Sequence, residues 1–248
     1  MPMKAMPILI AACLLAASAF AGPSIVKETL EIAGVSRTYY LYVPRALPEK
    51  TAVPLLLTFH GSGRNGRSLV EKWTKLADAN GFIVAGLDAT DSEGWAVPAD
   101  GPDAVKALVE ILRTRYSVDE SRVYVFGHSA GAVFGLKLGL MESEYFAAVA
   151  IHAGSFRQPD EYQVLPLARR KVPLKILVGD RDQYFPLQSV NATVKALTSA
   201  GFPVDLEVIK GHDHWYYDRA QQLNEKAWQF LKDQKLTSPP NYVQYRFN

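Results

Sequence analysis

Gly127-His128-Ser129-Ala130-Gly131 sets a serine between two glycines in the pattern G-x-S-x-G. Alone the pattern is weak, because glycine and serine are common residues. Its surroundings strengthen it. The apolar run Val123-Tyr124-Val125-Phe126 precedes it as a strand would, and Ala130 opens a segment with helical spacing. That strand–turn–helix context lifts a serine hydroxyl onto a tight, exposed turn, and the flanking glycines let the backbone close on itself. The plainer alternative is a glycine-rich turn with an incidental serine. A serine hydroxyl attacks only when a base removes its proton, so the five histidines, His60, His128, His152, His212 and His214, are the next candidates. His212 and His214 follow the last apolar run. In an open parallel sheet the loops beyond the C-terminal strand ends gather on one edge, so either could face Ser129. Leu177-Val178-Gly179-Asp180-Arg181-Asp182 offers two carboxylates, Asp180 and Asp182, to orient the base. The order Ser, Asp, His along the chain is the one associated with such sheets. His212-Asp213-His214 also has the shape of a metal pair, but no further ligand spacing accompanies it. No metal and no cofactor is expected. His60, His128 and His152 are expected to pack or hydrogen-bond rather than to catalyse.

These side chains need a scaffold, and the hydropathy pattern supplies one. Alternation over Ser24–Ile32 and Tyr39–Val43, around Ala33-Gly34-Val35-Ser36, predicts an opening hairpin. Nearly continuous apolar runs follow at Val53–Phe59, Phe82–Leu87, Arg122–Phe126, Phe146–Ile151, Leu174–Val178 and Val204–Ile209. Such runs suit strands buried on both faces of a parallel sheet. Between them, Ser68–Asn80, Pro102–Tyr116, Ala130–Glu142, Leu187–Ala200 and Tyr217–Lys232 carry helical spacing. Strands alternating with helices predict an α/β fold, with a mostly parallel, eight-stranded, doubly wound sheet flanked by helices. Asp88–Gly101 and Ala153–Lys171 are expected to be long loops near the site. The second is too short to form a large lid. Residues 236–248, with Ser238-Pro239-Pro240, are expected to form an irregular tail without a role.

The 248 residues, 48% of them hydrophobic, fit one domain with a sizeable core. Residues 1–21 have the layout of a secretory signal: Lys4, an apolar run from Ile8 to Ala17, and small residues at Ala19 and Ala21. The run is shorter than a bilayer-spanning helix requires. Cleavage after Ala21 would leave residues 22–235 as the catalytic domain and reduce the formal charge from +2 to +1 by loss of Lys4. Lipoprotein processing at Cys13, the only cysteine, is the less favoured alternative, because it would leave an apolar stretch where a polar tether is expected. The expected location is periplasmic or extracellular. No basic block is present, and nucleic acid is not an expected partner.

The chain resembles the α/β-hydrolase superfamily and, within it, the polyhydroxybutyrate depolymerase and feruloyl-esterase-like secreted esterases. The resemblance rests on Phe59-His60-Gly61, Gly94-Trp95, Arg122-Val123-Tyr124, Gly127–Gly131, Gly179–Asp182, Gly211–His214 and Ala227–Leu231, and covers most of residues 35–232. It implies that the acid stands three residues beyond Gly179, at Asp182 rather than Asp180. It also implies that the base follows as G-x-x-H, at His214 rather than His212. The oxyanion of an acyl-transfer intermediate needs two N–H donors: Ala130 is one, and Ser62 is preferred to Gly61 as the other. Trp95, Phe156, Tyr184, Phe185, Trp215 and Tyr216 are expected at the active edge, with Trp95, Tyr184 and Trp215 as candidate substrate contacts. The activity implied is hydrolysis of carboxylic esters, small or polymeric, through an acyl-enzyme. The competing readings are a peptidase or amidase with the same triad, and a non-catalytic polymer- or carbohydrate-binding protein on a hydrolase scaffold.

Overall fold

A computed structural model describes residues 24–32, 34–47, 51–97 and 99–243. The expected signal segment, including Cys13, lies outside the described residues. The chain runs β1 (Val26–Ile32), β2 (Val35–Tyr42), β3 (Val53–Phe59), α1 (Gly66–Asn80), β4 (Ile83–Leu87), α2 (Pro102–Arg115), β5 (Val118–His128), α3 (Ala130–Met141), β6 (Ala148–His152), β7 (Leu174–Gly179), α4 (Leu187–Ser199), β8 (Val204–Ile209) and α5 (Ala220–Leu231). The eight strands form one sheet in the order β1-β2-β4-β3-β5-β6-β7-β8. The β1–β2 hairpin is antiparallel and joins β4 antiparallel, while β3 to β8 run parallel. This is the mostly parallel, eight-stranded sheet expected from the alternating elements, and the α/β-hydrolase arrangement that the resemblance implies.

The apolar runs are continuous because the sheet is covered on both sides. In β3, Leu55, Leu57 and Phe59 pack with residues of α2, α3 and α4, whereas Leu56 joins α1 and α5. Trp73 of α1 and Trp228 of α5 anchor that second layer. Helix α3 runs beneath the sheet centre and is apolar almost all round, with Leu136, Leu138, Leu140 and Met141 all buried, as befits a helix surrounded by protein.

Three local readings change. Strand β5 begins at Val118, ahead of the apolar run, and a register shift at Val53/Leu55 accommodates the extra length beside β3. The last predicted helix is broken: Tyr217–Arg219 form a 3-10 turn before α5 starts at Ala220. A hydrogen bond between the hydroxyls of Tyr217 and Ser68, 3.1 Å apart, ties this turn to α1. The tail has no helix or strand as far as residue 243, yet it is docked. The Leu236 amide donates to Ser121 O at 2.9 Å, and the Tyr242 ring packs edge-on to Tyr145 at 4.6 Å.

Two long loops frame the edge beyond the parallel strands. The first, between β4 and α2, folds around the buried carboxylate of Asp100. Asp100 pairs with Arg37 at 2.7 Å and accepts hydrogen bonds from the amides of Thr90 and Ala96. The second, between β6 and β7, contains a 3-10 helix over Pro159–Leu167 that lies against α3. Among the described residues, no helix is long and apolar enough to cross a membrane.

Candidate active site

Ser129 sits between β5 and α3 with φ 56° and ψ −121°, in a region that residues bearing a Cβ rarely occupy. Its N–H donates to His152 O at 3.1 Å, and its carbonyl accepts from the amides of Ala132 and Val133 in the first turn of α3. The two glycines make this turn possible. A Cβ on Gly127 would lie 2.1 Å from Gly131 O, and one on Gly131 would lie 2.1 Å from Phe59 O. The helix start is therefore pressed directly against the strands, and the serine side chain is left at the apex.

His214 bridges Ser129 and Asp182. Its Nε2 is 2.9 Å from Ser129 Oγ, and its Nδ1 is 2.9 Å from Asp182 Oδ2. Asp182 is buried just beyond β7, and its Oδ1 also accepts the amides of Tyr184 (2.9 Å) and Phe185 (2.8 Å). Burial alone would raise its pKa, but the hydrogen bonds from His214 and the two amides outweigh that and hold it below the ordinary carboxylate value. An ionised carboxylate only accepts, so the His214 proton lies on Nδ1 and its Nε2 is left to accept the Ser129 hydroxyl proton.

The two alternatives point elsewhere. Asp180 is exposed, and its Oδ1 accepts the Gly211 amide at 2.7 Å, tying the β7 and β8 loops together. His212 is buried and faces His152, with 3.0 Å between their Nε2 atoms. His152 in turn shares a hydrogen bond with His128 through their Nδ1 atoms at 3.0 Å. Three buried imidazoles thus form a string under Ser129, linking the serine turn, the end of β6 and the loop that carries His214. If all three are neutral, each carries one N–H, and only two arrangements satisfy both contacts: His152 donates to His128 and accepts from His212, or the reverse. Burial favours neutrality, pushing His128 down to about 3 and His152 well below the ordinary imidazole value. The expectation that His128 and His152 hydrogen-bond rather than meet Ser129 agrees with this geometry. His60 accepts the Ala89 amide at Nε2 and donates from Nδ1 to Gly61 O at 2.8 Å, which braces the turn carrying Ser62.

Two cavities, each about 520 Å³, open on either side of Ser129, and Ser62, Ser129 and Tyr184 line both. The first adds Trp95, Ala130, Val133, Phe134, Phe185 and Lys137. Trp95 stacks on Phe134 at 4.7 Å and donates Nε1–H to His60 O at 2.8 Å, so the Asp100-centred loop delivers it to the cavity wall. The second adds His128, His214, Trp215, Tyr217, Arg64 and Arg181. Tyr184 and Trp215 are solvent-exposed at the rim. Ala130 heads α3, where a helix N–H has no intrahelical acceptor. Phe156 and Tyr216 do not line either cavity. Both are core residues: the Phe156 ring packs on Tyr162, and the Tyr216 ring lies beside His128 with its hydroxyl on Asn224. Sequence reading missed Arg64, Lys137, Arg157, Arg181 and Tyr217 as lining residues. Arg64 and Arg181 stand two residues or fewer from residues it had named, and that proximity was the available signal.

The sequence pattern of the dienelactone hydrolase family matches residues 86–234, which include Ser129, Asp182 and His214. The chain is 27% identical over 170 residues, 65% of its length, to a bifunctional acetylxylan esterase/xylanase of Neocallimastix patriciarum, of which it covers 24%. It is 32% identical over 127 residues, 46% of its length, to feruloyl esterase B of Neurospora crassa, of which it covers 43%. It thus spans less than half the length of these curated relatives. Among solved structures, LpqC, a poly(3-hydroxybutyrate) depolymerase from Bordetella parapertussis, superposes with a TM-score of 0.64 at 19% identity, over 83% of this chain and 90% of that one. The fold likeness and the family match agree, and the chain belongs to the dienelactone hydrolase family.

Proposed function

We propose that this protein is a serine hydrolase that cleaves carboxylic esters through an acyl-enzyme. The observation that carries the reading is His214 held between Ser129 Oγ and Asp182 at 2.9 Å on each side. Ser129 Oγ attacks the ester carbonyl while His214 Nε2 takes its proton, and Asp182 orients and stabilises the imidazolium that forms. The amides of Ala130 and Ser62 donate to the oxyanion. The carbon–oxygen bond to the alcohol then breaks, His214 returns the proton to the departing oxygen, and water enters by the same steps in reverse order. Trp95, Tyr184 and Trp215 are the substrate contacts in this reading.

Export belongs to the same proposal. A cleaved N-terminal signal would deliver residues 22 onward to the periplasm or the medium, where ester substrates, small or polymeric, are met. The relatives named as an acetylxylan esterase and a feruloyl esterase support the reaction class.

The direct test is labelling by a fluorophosphonate probe together with turnover of a short-chain chromogenic ester. Wild type should be labelled and active, and Ser129→Ala should be unlabelled with kcat lower by several orders of magnitude. A folded Ser129→Ala protein with near-normal esterase activity would sink the assignment.

A further inference from the structure

Strands β6 and β7 stand between β5, which delivers Ser129, and β8, whose loop delivers His214. The two ends are three strand spacings apart, about 14 Å at the usual interstrand distance. The hydrogen bond from Ser129 to His214 therefore depends on a loop that travels back across two strand ends.

The buried histidine string marks the path of that loop. At the end of β7, His212 O accepts the Arg181 amide at 2.9 Å, and a Cβ on Gly179 would lie 2.0 Å from the same oxygen. The loop is thus pressed onto β7. From there the His212 ring reaches β6, with its Nε2 3.0 Å from His152 Nε2, and His152 Nδ1 lies 3.0 Å from His128 Nδ1 at the end of β5. His128 and His152 are register partners on adjacent parallel strands. The His152 carbonyl also accepts the Ser129 N–H at 3.1 Å. One residue thus holds the serine turn by its backbone and one ring nitrogen, and the base loop by the other ring nitrogen. The backbone is strained at the same place. Among the described residues, the non-glycine positions with positive φ are Ser129 and Ala153, at 56° and 54°, and each directly follows a member of the string. Such strain persists only where surrounding contacts hold it, and it gathers at functional sites.

We propose that His152 is a positioning residue of the triad, whose imidazole ties the strand end carrying Ser129 to the loop carrying His214 and so sets the distance from hydroxyl to base. The proposal rests on the hydrolase reading above and adds to it a residue that is fully buried and lines neither cavity. His152 exchanges no proton with the substrate. It acts through His128 and His212, and without it the serine turn and the base loop are free to drift apart. A misplacement on the order of 1 Å at the reacting atoms can cost about 100-fold in rate.

The end of the string allows a test that separates positioning from folding. A glutamine amide nitrogen stands near the place of a histidine Nε2, so His212→Gln keeps a partner for His152, whereas His212→Phe keeps a ring and removes the partner. Turnover of a short-chain chromogenic ester is measured per active site, counted by fluorophosphonate labelling carried to completion, so loss of folded protein does not enter. His212→Phe should lower kcat ~10-fold to ~100-fold with KM changed less than ~2-fold. His212→Gln should recover most of that loss. In a His152→Phe background, itself slowed, His212→Gln and His212→Phe should no longer differ, because the group that distinguishes them is gone. In wild type, proton–nitrogen correlation spectra of the histidine side chains should show two imidazole N–H protons protected from solvent exchange, one for each contact of His152. That readout does not depend on any variant folding. Equal kcat per site in wild type and His212→Phe, equal loss in His212→Phe and His212→Gln, or absence of both protected protons would overturn the positioning role and leave the hydrolase reading intact. A wild type that turns over no ester would overturn the hydrolase reading itself.

Discussion

Lowering the pH from 7 to 5 should remove about 4 kcal/mol or more of folding stability, and the buried histidine string is the reason. In the unfolded chain each imidazole titrates near the ordinary value of 6.5. In the folded protein burial pushes His128 down to about 3 and His152 well below 6.5, and it also lowers His60 and His212. These groups are depressed by folding, so below 6.5 the unfolded chain binds protons that the folded protein refuses. Their contribution is complete above 6.5 and is lost as the pH falls from there towards about 3. Two imidazoles that stay neutral in the fold contribute about 2 kcal/mol each between pH 7 and 5, with a limiting slope of about 3 kcal/mol per pH unit. His60 and His212 steepen the slope further. The carboxylates held low, among them Asp182 and Glu207, add their own loss only at lower pH, so the window above 5 reports the histidines. Urea unfolding followed by circular dichroism at pH 7, 6 and 5 measures the slope directly. His152→Asn, which deletes one refused proton, should flatten it by about 1.4 kcal/mol per pH unit. Stability that is level between pH 7 and 5 would refute the claim that the string is buried and neutral.

Replacing Asp182 by Ala should damage turnover far more than Asp180→Ala, and His214→Ala more than His212→Ala, because only Asp182 and His214 complete the line to Ser129. Measured kcat for the four folded variants decides it, and a dead His212 variant beside an active His214 variant would move the base. Gly131→Ala should destabilise the fold by about 3 kcal/mol, since its Cβ would meet the Phe59 carbonyl at 2.1 Å; calorimetry should show Tm lower by about 10 °C, and an unchanged Tm would mean that the turn can open. N-terminal sequencing of exported protein should begin at Gly22, and a lipid-modified start at Cys13 would contradict the proposed cleavage.

The sequence alone determined the alternation of elements, the sheet they form and the short set of residues that could do chemistry. Hydropathy periodicity reports whether a strand is covered on one face or two, and Leu55, Leu56 and Leu57 carry that information in three consecutive letters. Turn chemistry is equally local, so the glycines around Ser129 announced the tight turn before any contact was known. The tertiary structure decided where each loop side chain points. Asp180 and Asp182 are two residues apart on one loop, as are His212 and His214 on another, and spacing alone leaves each pair open without the family resemblance. The direction is set by the partner each side chain meets, most of them distant in the chain: the Gly211 amide takes Asp180, His214 takes Asp182 with help from the local amides of Tyr184 and Phe185, and the His152 side chain from another strand captures His212. The same holds for the aromatics. Phe156 and Tyr216 carry the same local signal as Trp95 and Trp215, yet one pair is core and the other faces a cavity, because packing across elements far apart in the chain chooses which rings are covered. The make-up of the second cavity belongs to this second kind of information. Arg64 and Arg181 lie 117 positions apart in the chain, and only the closing of the strand ends onto one edge brings them to the same side of Ser129.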